Sequence, residues 1–108
     1  MSDLQREGKS AKETDPSPQT ACRVTTICNQ RGLHARAAAR FVKTAGLFDA
    51  EIWVRKNGVE VSGRSIMGLM MLAAGPGTTI TVEASGPQAT EVVDALAALV
   101  SGRFTEQE

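Results

Sequence analysis

Tyrosine is absent from this 108-residue chain, and Phe41, Phe48, Trp53 and Phe104 are its only aromatic residues. Readers of single-stranded nucleic acid stack bases on aromatic side chains beside a positive surface, and no such pair stands near the basic residues here. One histidine, His34, and two cysteines, Cys22 and Cys28, leave a tetrahedral metal site short of ligands, so neither a metal nor another cofactor is expected. No apolar run approaches the roughly 20 residues of a membrane span. The first twenty residues carry only Met1, Leu4 and Ala11 as apolar side chains, a pattern unlike a signal peptide or an anchor. Cys22 and Cys28 fall in one predicted strand, about 20 Å apart at the usual rise, whereas a disulfide needs Cα atoms within about 7 Å. Reduced thiols without an export signal point to the cytoplasm.

Charge of one sign is not in excess either. Twelve Lys and Arg balance twelve Asp and Glu, so bulk electrostatics favours neither nucleic acid nor membrane as a partner. The distribution is uneven. Arg31, Arg36, Arg40, Lys43, Arg55, Lys56 and Arg64 face only Asp49, Glu51 and Glu60 between residues 31 and 64, while Arg103 alone opposes five acids beyond Ser65. One region should attract an acidic protein.

What is present is one domain's worth of chain with 42% apolar residues. Residues 1–20, polar and without an apolar period, read as a flexible tail, and residues 21–108 as the folded unit. Cys22 to Cys28 forms a β-branched strand, and Asn29 to Gly32 a loop. Ala35, Ala38, Val42 and Ala45 then make one stripe of a first helix that stops at Gly46. Ala50, Ile52 and Val54 alternate with Glu51, Trp53 and Arg55 before Asn57-Gly58, a dipeptide suited to the positive φ angles of a tight hairpin, which leads into Val59 to Val61. Ser65 opens a short helix closed by Gly75-Pro76-Gly77. Ile80, Val82 and Ala84 alternate in a fourth strand. Ser85-Gly86-Pro87 caps a last helix whose stripe includes Ala89, Val92, Val93, Leu96, Leu99 and Val100. The order βαββαβα implies an α+β open-faced sandwich: a four-stranded antiparallel sheet with three helices on one face.

His34 stands at the junction Gly32-Leu33-His34-Ala35-Arg36, directly before a helix whose first amides lack internal partners. The positive end of the helix dipole stabilises an exposed anion by about 0.3–1 kcal/mol. The same field disfavours imidazolium and leaves a ring nitrogen free to attack phosphorus. Arg36 lies within the first turn, where its guanidinium can pair with a phosphate oxygen. Phosphoryl transfer asks mainly for positioning and charge stabilisation, and these groups can supply both. A lone histidine at a helix start is also commonly a mere capping or surface residue.

The segment Gly32-Leu33-His34-Ala35-Arg36-Ala37-Ala38 resembles the active-site motif of the histidine-containing phosphocarrier (HPr) proteins of the bacterial phosphoenolpyruvate-dependent phosphotransferase system. The likeness extends from about Ala21 to Arg103. Many members of that family have proline where this chain has Ala37, a good helix former that should preserve the helix start. The resemblance implies phosphorylation of His34 at Nδ1 with Arg36 as its partner, enzyme I as donor and enzyme IIA-type proteins as acceptors, for sugar uptake, regulation or both. It describes a phosphotransferase-system component and not an autonomous enzyme, and a monomer is expected. Gly63-Arg64-Ser65-Ile66-Met67-Gly68 resembles the segment modified in many members by an HPr kinase/phosphorylase, which would make Ser65 a regulatory site. Its hydroxyl can equally serve as a plain helix cap.

Ile66, Met67 and Met70 are read either as a partner-docking surface or as core, a choice that exposure decides. Arg36, Arg40 and Lys43 share one helix face and form a candidate positive docking stripe. Two other functions compete. One is an HPr-like regulatory module acting mainly through Ser65; the other is a plain binding domain for RNA or a small ligand, which no motif supports.

Overall fold

A computed structural model describes residues 19–106. Its elements are β1 (Thr20–Thr26), α1 (Ala35–Ala45), β2 (Glu51–Lys56), β3 (Val59–Ser62), α2 (Ile66–Met71), β4 (Thr79–Ser85) and α3 (Ala89–Ser101), closed by a short 3-10 turn at Arg103–Thr105. The strands lie in the order β1-β4-β2-β3, every pair antiparallel. Alternation sets the faces: Ile52, Val54, Ile80, Val82 and Ala84 point into the core, while Cys22, Val24 and Trp53 lie on the open face. α3 packs on β1 and β4, and α1 packs on both α2 and α3. This is the expected four-stranded antiparallel sheet with three helices. Full burial of side chains such as Phe41, Ile80, Leu96 and Val100 contributes roughly 1.5–3 kcal/mol each.

Asn57 and Gly58 adopt φ of 52° and 81°, the two positive values the hairpin requires. Several boundaries depart from the sequence reading. Thr20 pairs with Ser85, so one residue assigned to the tail joins the sheet, and the Gln19 carbonyl before it accepts from the Gly86 N–H at 2.7 Å. The remainder of that tail, residues 1–18, lies outside the described residues. β1 ends at Thr26, not Cys28, because Ile27 turns into the core and the Cys28 thiol donates to the Val100 carbonyl at 3.4 Å. Both cysteines are free thiols.

In α1 the buried residues are Ala37, Ala38, Phe41 and Ala45, whereas Ala35 is exposed and Val42 half-buried. Phe41, the largest apolar side chain on that helix, sets the rotation. α2 stops earlier than Gly75. Just past its end, the carbonyls of Leu72 and Ala73 accept from the Lys56 ammonium at 3.0 and 3.4 Å. Ser85 stays in β4, and Gln88 occupies the cap position of α3 without capping it. Its side-chain oxygen accepts instead from the Asp49 N–H at 2.8 Å, tying α3 to the turn before β2.

Candidate functional site

His34 is the N-cap of α1, with extended backbone and a side chain 19% exposed. The loop before it is fixed by close packing. Gly32 has φ of +67°, and a Cβ there would come within 2.6 Å of the Ala74 carbonyl oxygen, so only glycine fits. The backbone it approaches is that of residues 74–75. Leu33 is buried and its N–H donates to the same Ala74 carbonyl at 2.9 Å. The loop after α2 is thereby bonded to the loop that carries His34.

The two ring nitrogens of His34 have different partners. Nδ1 accepts from the Arg36 backbone N–H at 3.2 Å, and Nε2 is bonded to the Glu106 carboxylate. An amide N–H can only donate, and an ionised carboxylate can only accept. A neutral ring in this setting carries its proton on Nε2 and turns the Nδ1 lone pair toward the free amides of α1. That is the arrangement of a nitrogen nucleophile beside an anion-stabilising helix terminus.

Glu106 and its neighbour Asn29 escaped the sequence reading. Arg103, Phe104 and Thr105 all have positive φ, near 60°, in a left-handed turn. Phe104 is fully buried and its carbonyl accepts from the Arg40 guanidinium at 2.6 Å. The chain is thus folded back so that Glu106 reaches His34. Asn29, also fully buried, donates through Nδ2 to the Gly32 carbonyl at 2.8 Å and to the second Glu106 oxygen at 3.1 Å. Both partners are acceptors, so the amide nitrogen must face them, and the Asn29 oxygen has no partner among the described residues. Burial pushes the Glu106 carboxyl up, but the bonds from Asn29 and His34 and the charges of His34 and Arg31 leave it below its ordinary value. The only signal in the sequence was an isolated Phe104 after the Gly102 stop.

The other predicted site residues fall into three groups. Arg36 is exposed at the first turn of α1, and Lys43 is exposed two turns on. Arg40, assigned to the same stripe, is half-buried and engaged by the Phe104 carbonyl, so it serves the C-terminal turn. Ser65 caps α2, its hydroxyl accepting from the Gly68 N–H at 2.9 Å. Ile66, Met67 and Met70 are 40%, 74% and 43% exposed, which removes the core reading. Leu69 is the buried residue of α2, and Met71 on the same helix is exposed as well, as is Leu47 after α1. Among the described residues no three His, Cys, Asp or Glu side chains are placed to hold a metal ion, and no helix is long and apolar enough to cross a membrane.

Comparison with known proteins points one way. Residues 21–102 match the family model PTS-HPr, described as the HPr component phosphorylation site of the phosphotransferase system. The chain is 51% identical over 86 residues to the phosphocarrier protein HPr of Cupriavidus necator, covering 80% of this chain and 97% of that protein. It is likewise 51% identical over 82 residues to HPr of Neisseria meningitidis serogroup A, covering 76% and 92%. The crystal structure of HPr-C-His from Thermoanaerobacter tengcongensis superposes with a TM-score of 0.77 at 39% identity, over 82% of this chain and 99% of that one.

Proposed function

The chain belongs to the HPr family of phosphocarrier proteins of the phosphotransferase system, and on that premise we propose that the phosphoryl group rides on Nδ1 of His34. The observation that carries this reading is the Nδ1 lone pair directed at the first amides of α1. His34 takes the group from phosphorylated enzyme I and gives it to an enzyme IIA-type protein. On loading, the Nδ1 lone pair forms the new P–N bond while the donor nitrogen recovers the electron pair of the old one; on handover the acceptor's nucleophile forms the new bond to phosphorus and Nδ1 recovers the pair. Arg36, exposed beside the ring, pairs with the equatorial oxygens as charge spreads over them.

The apolar surface of Ile66, Met67 and Met70 receives both partners in turn, which favours a monomer as the working form, and free thiols fit a cytoplasmic setting. Ser65 is the regulatory site, modified by an HPr kinase/phosphorylase. A phosphate there suits the start of α2 but places about two negative charges beside the docking surface, weakening the encounter with enzyme I.

The test is incubation with phosphoenolpyruvate and active enzyme I, followed by intact mass. The parent should gain one acid-labile phosphoryl group, His34→Ala none, and Arg36→Ala should load on the order of a hundredfold more slowly. A parent that stays unmodified while a reference HPr loads would overturn carriage and favour the regulatory module acting through Ser65.

A further inference from the structure

The C-terminal turn does more than close the fold. Three consecutive residues with side chains sit in the left-handed region, a conformation that L residues disfavour and that persists only where surrounding contacts over-determine it. Those contacts are the buried Phe104 ring, the Arg40 bond to its carbonyl, and the Glu106 carboxylate, whose two oxygens are divided between Asn29 and His34. The turn thus delivers one carboxylate, 10% exposed, to the ring nitrogen that does not react.

We propose that Glu106, aimed by the buried amide of Asn29, is a positioning residue for phosphoryl transfer: it holds the Nε2 proton of His34 and stabilises the charge that the ring acquires when Nδ1 is phosphorylated. The assignment rests on the carrier reading above. When the neutral ring attacks, Nδ1 bonds to phosphorus, the bond to the donor nitrogen breaks with its electron pair returning to the donor, and the Nε2 proton stays in place. The product ring is a phosphoimidazolium. Its new positive charge lies against the Glu106 carboxylate, whereas the free ring gains only a hydrogen bond, so the carboxylate favours the loaded state over the empty one. The same bond fixes the ring plane so that the Nδ1 lone pair stays turned toward α1.

The test compares the parent with Glu106→Ala and the isosteric Glu106→Gln in full-length protein. Proton NMR of the unphosphorylated protein should show a far-downfield, slowly exchanging Nε2–H signal in the parent that is lost in Glu106→Ala. Phosphoryl exchange with enzyme I should come to an equilibrium shifted toward the donor by about tenfold in both variants, with KM for enzyme I little changed. A variant that raises KM while leaving the exchange equilibrium and the Nε2–H signal as in the parent would reduce Glu106 to a docking or packing residue and overturn the assignment. The NMR signal needs no donor. A parent that accepts no phosphoryl group would therefore sink the carrier reading separately, with the Glu106–His34 brace still decided by the resonance.

Discussion

The contact between Glu106 and His34 makes part of the protein's stability depend on pH in a defined window. Burial raises the Glu106 carboxyl, yet the hydrogen bonds from Asn29 and His34, with the charges of His34 and Arg31, bring it below the ordinary 4.5. A carboxylate depressed in the folded state stabilises the fold above its unfolded value, and that stabilisation is lost as pH falls through the folded one. The parent should therefore resist urea better than Glu106→Gln at neutral pH, and the gap should close only below pH 4.5. Midpoints of urea unfolding for the two proteins across that range check this; a gap that persists in acid would mean the carboxylate is not the stabilising form. Nothing local in the sequence marks this pairing. His34 and Glu106 are 72 residues apart, and Asn29 and Glu106 are 77 apart. His34 itself was legible because its chemistry depends on its neighbours in sequence: a glycine-containing loop before it and a helix after it.

α2 is a six-residue helix, too short to be stable alone, and its anchors include the Ser65 cap, the Leu69 side chain and the Lys56 bonds to the Leu72 and Ala73 carbonyls just past its end. Ser65→Ala removes the acceptor for the Gly68 N–H and should cost about 1 kcal/mol of unfolding free energy. Ser65→Asp keeps a capping oxygen and should retain most of that stability while weakening transfer from enzyme I. Denaturant curves and transfer rates on the same two variants separate cap from regulation, and equal transfer rates would remove Ser65 from the docking surface.

The elements themselves were legible where burial follows a strict period, as in β2 and β4. The rotation of α1 was misjudged because its alanines fit several stripes and only Phe41 discriminates among them. The start of α3 was misjudged because Gln88 takes a tertiary partner, Asp49, in place of a local cap. The left-handed turn after Gly102 was illegible, since intrinsic preference opposes it and tertiary contacts, those with α1 and the His34 loop among them, hold it.

Although formal charge sums to zero, Arg31, Arg36, Lys43 and Arg64 are all exposed in and around the His34 half of the sequence, while the exposed acids Glu91 and Asp94 lie on α3, Asp94 paired with Arg23. Such a layout speeds encounter with an acidic partner without demanding tight binding, and the effect is screened beyond a Debye length of about 10 Å at 0.1 M salt. Two positive residues of α1 should then behave differently. Lys43 is exposed near the end of the helix, so Lys43→Glu should lower the association rate with enzyme I several-fold at low salt, converge on the parent as salt rises, and leave thermal stability within about 0.5 kcal/mol of it. Arg40 is committed to the Phe104 carbonyl, so Arg40→Ala should loosen the C-terminal turn, lower stability by about 1–3 kcal/mol, and slow transfer by a factor that added salt does not erase. Stopped-flow association across a salt series, with denaturant unfolding of the same proteins, decides between them. If both variants gave the same salt dependence, the positive face of α1 would be one continuous docking stripe and the structural role of Arg40 would be wrong.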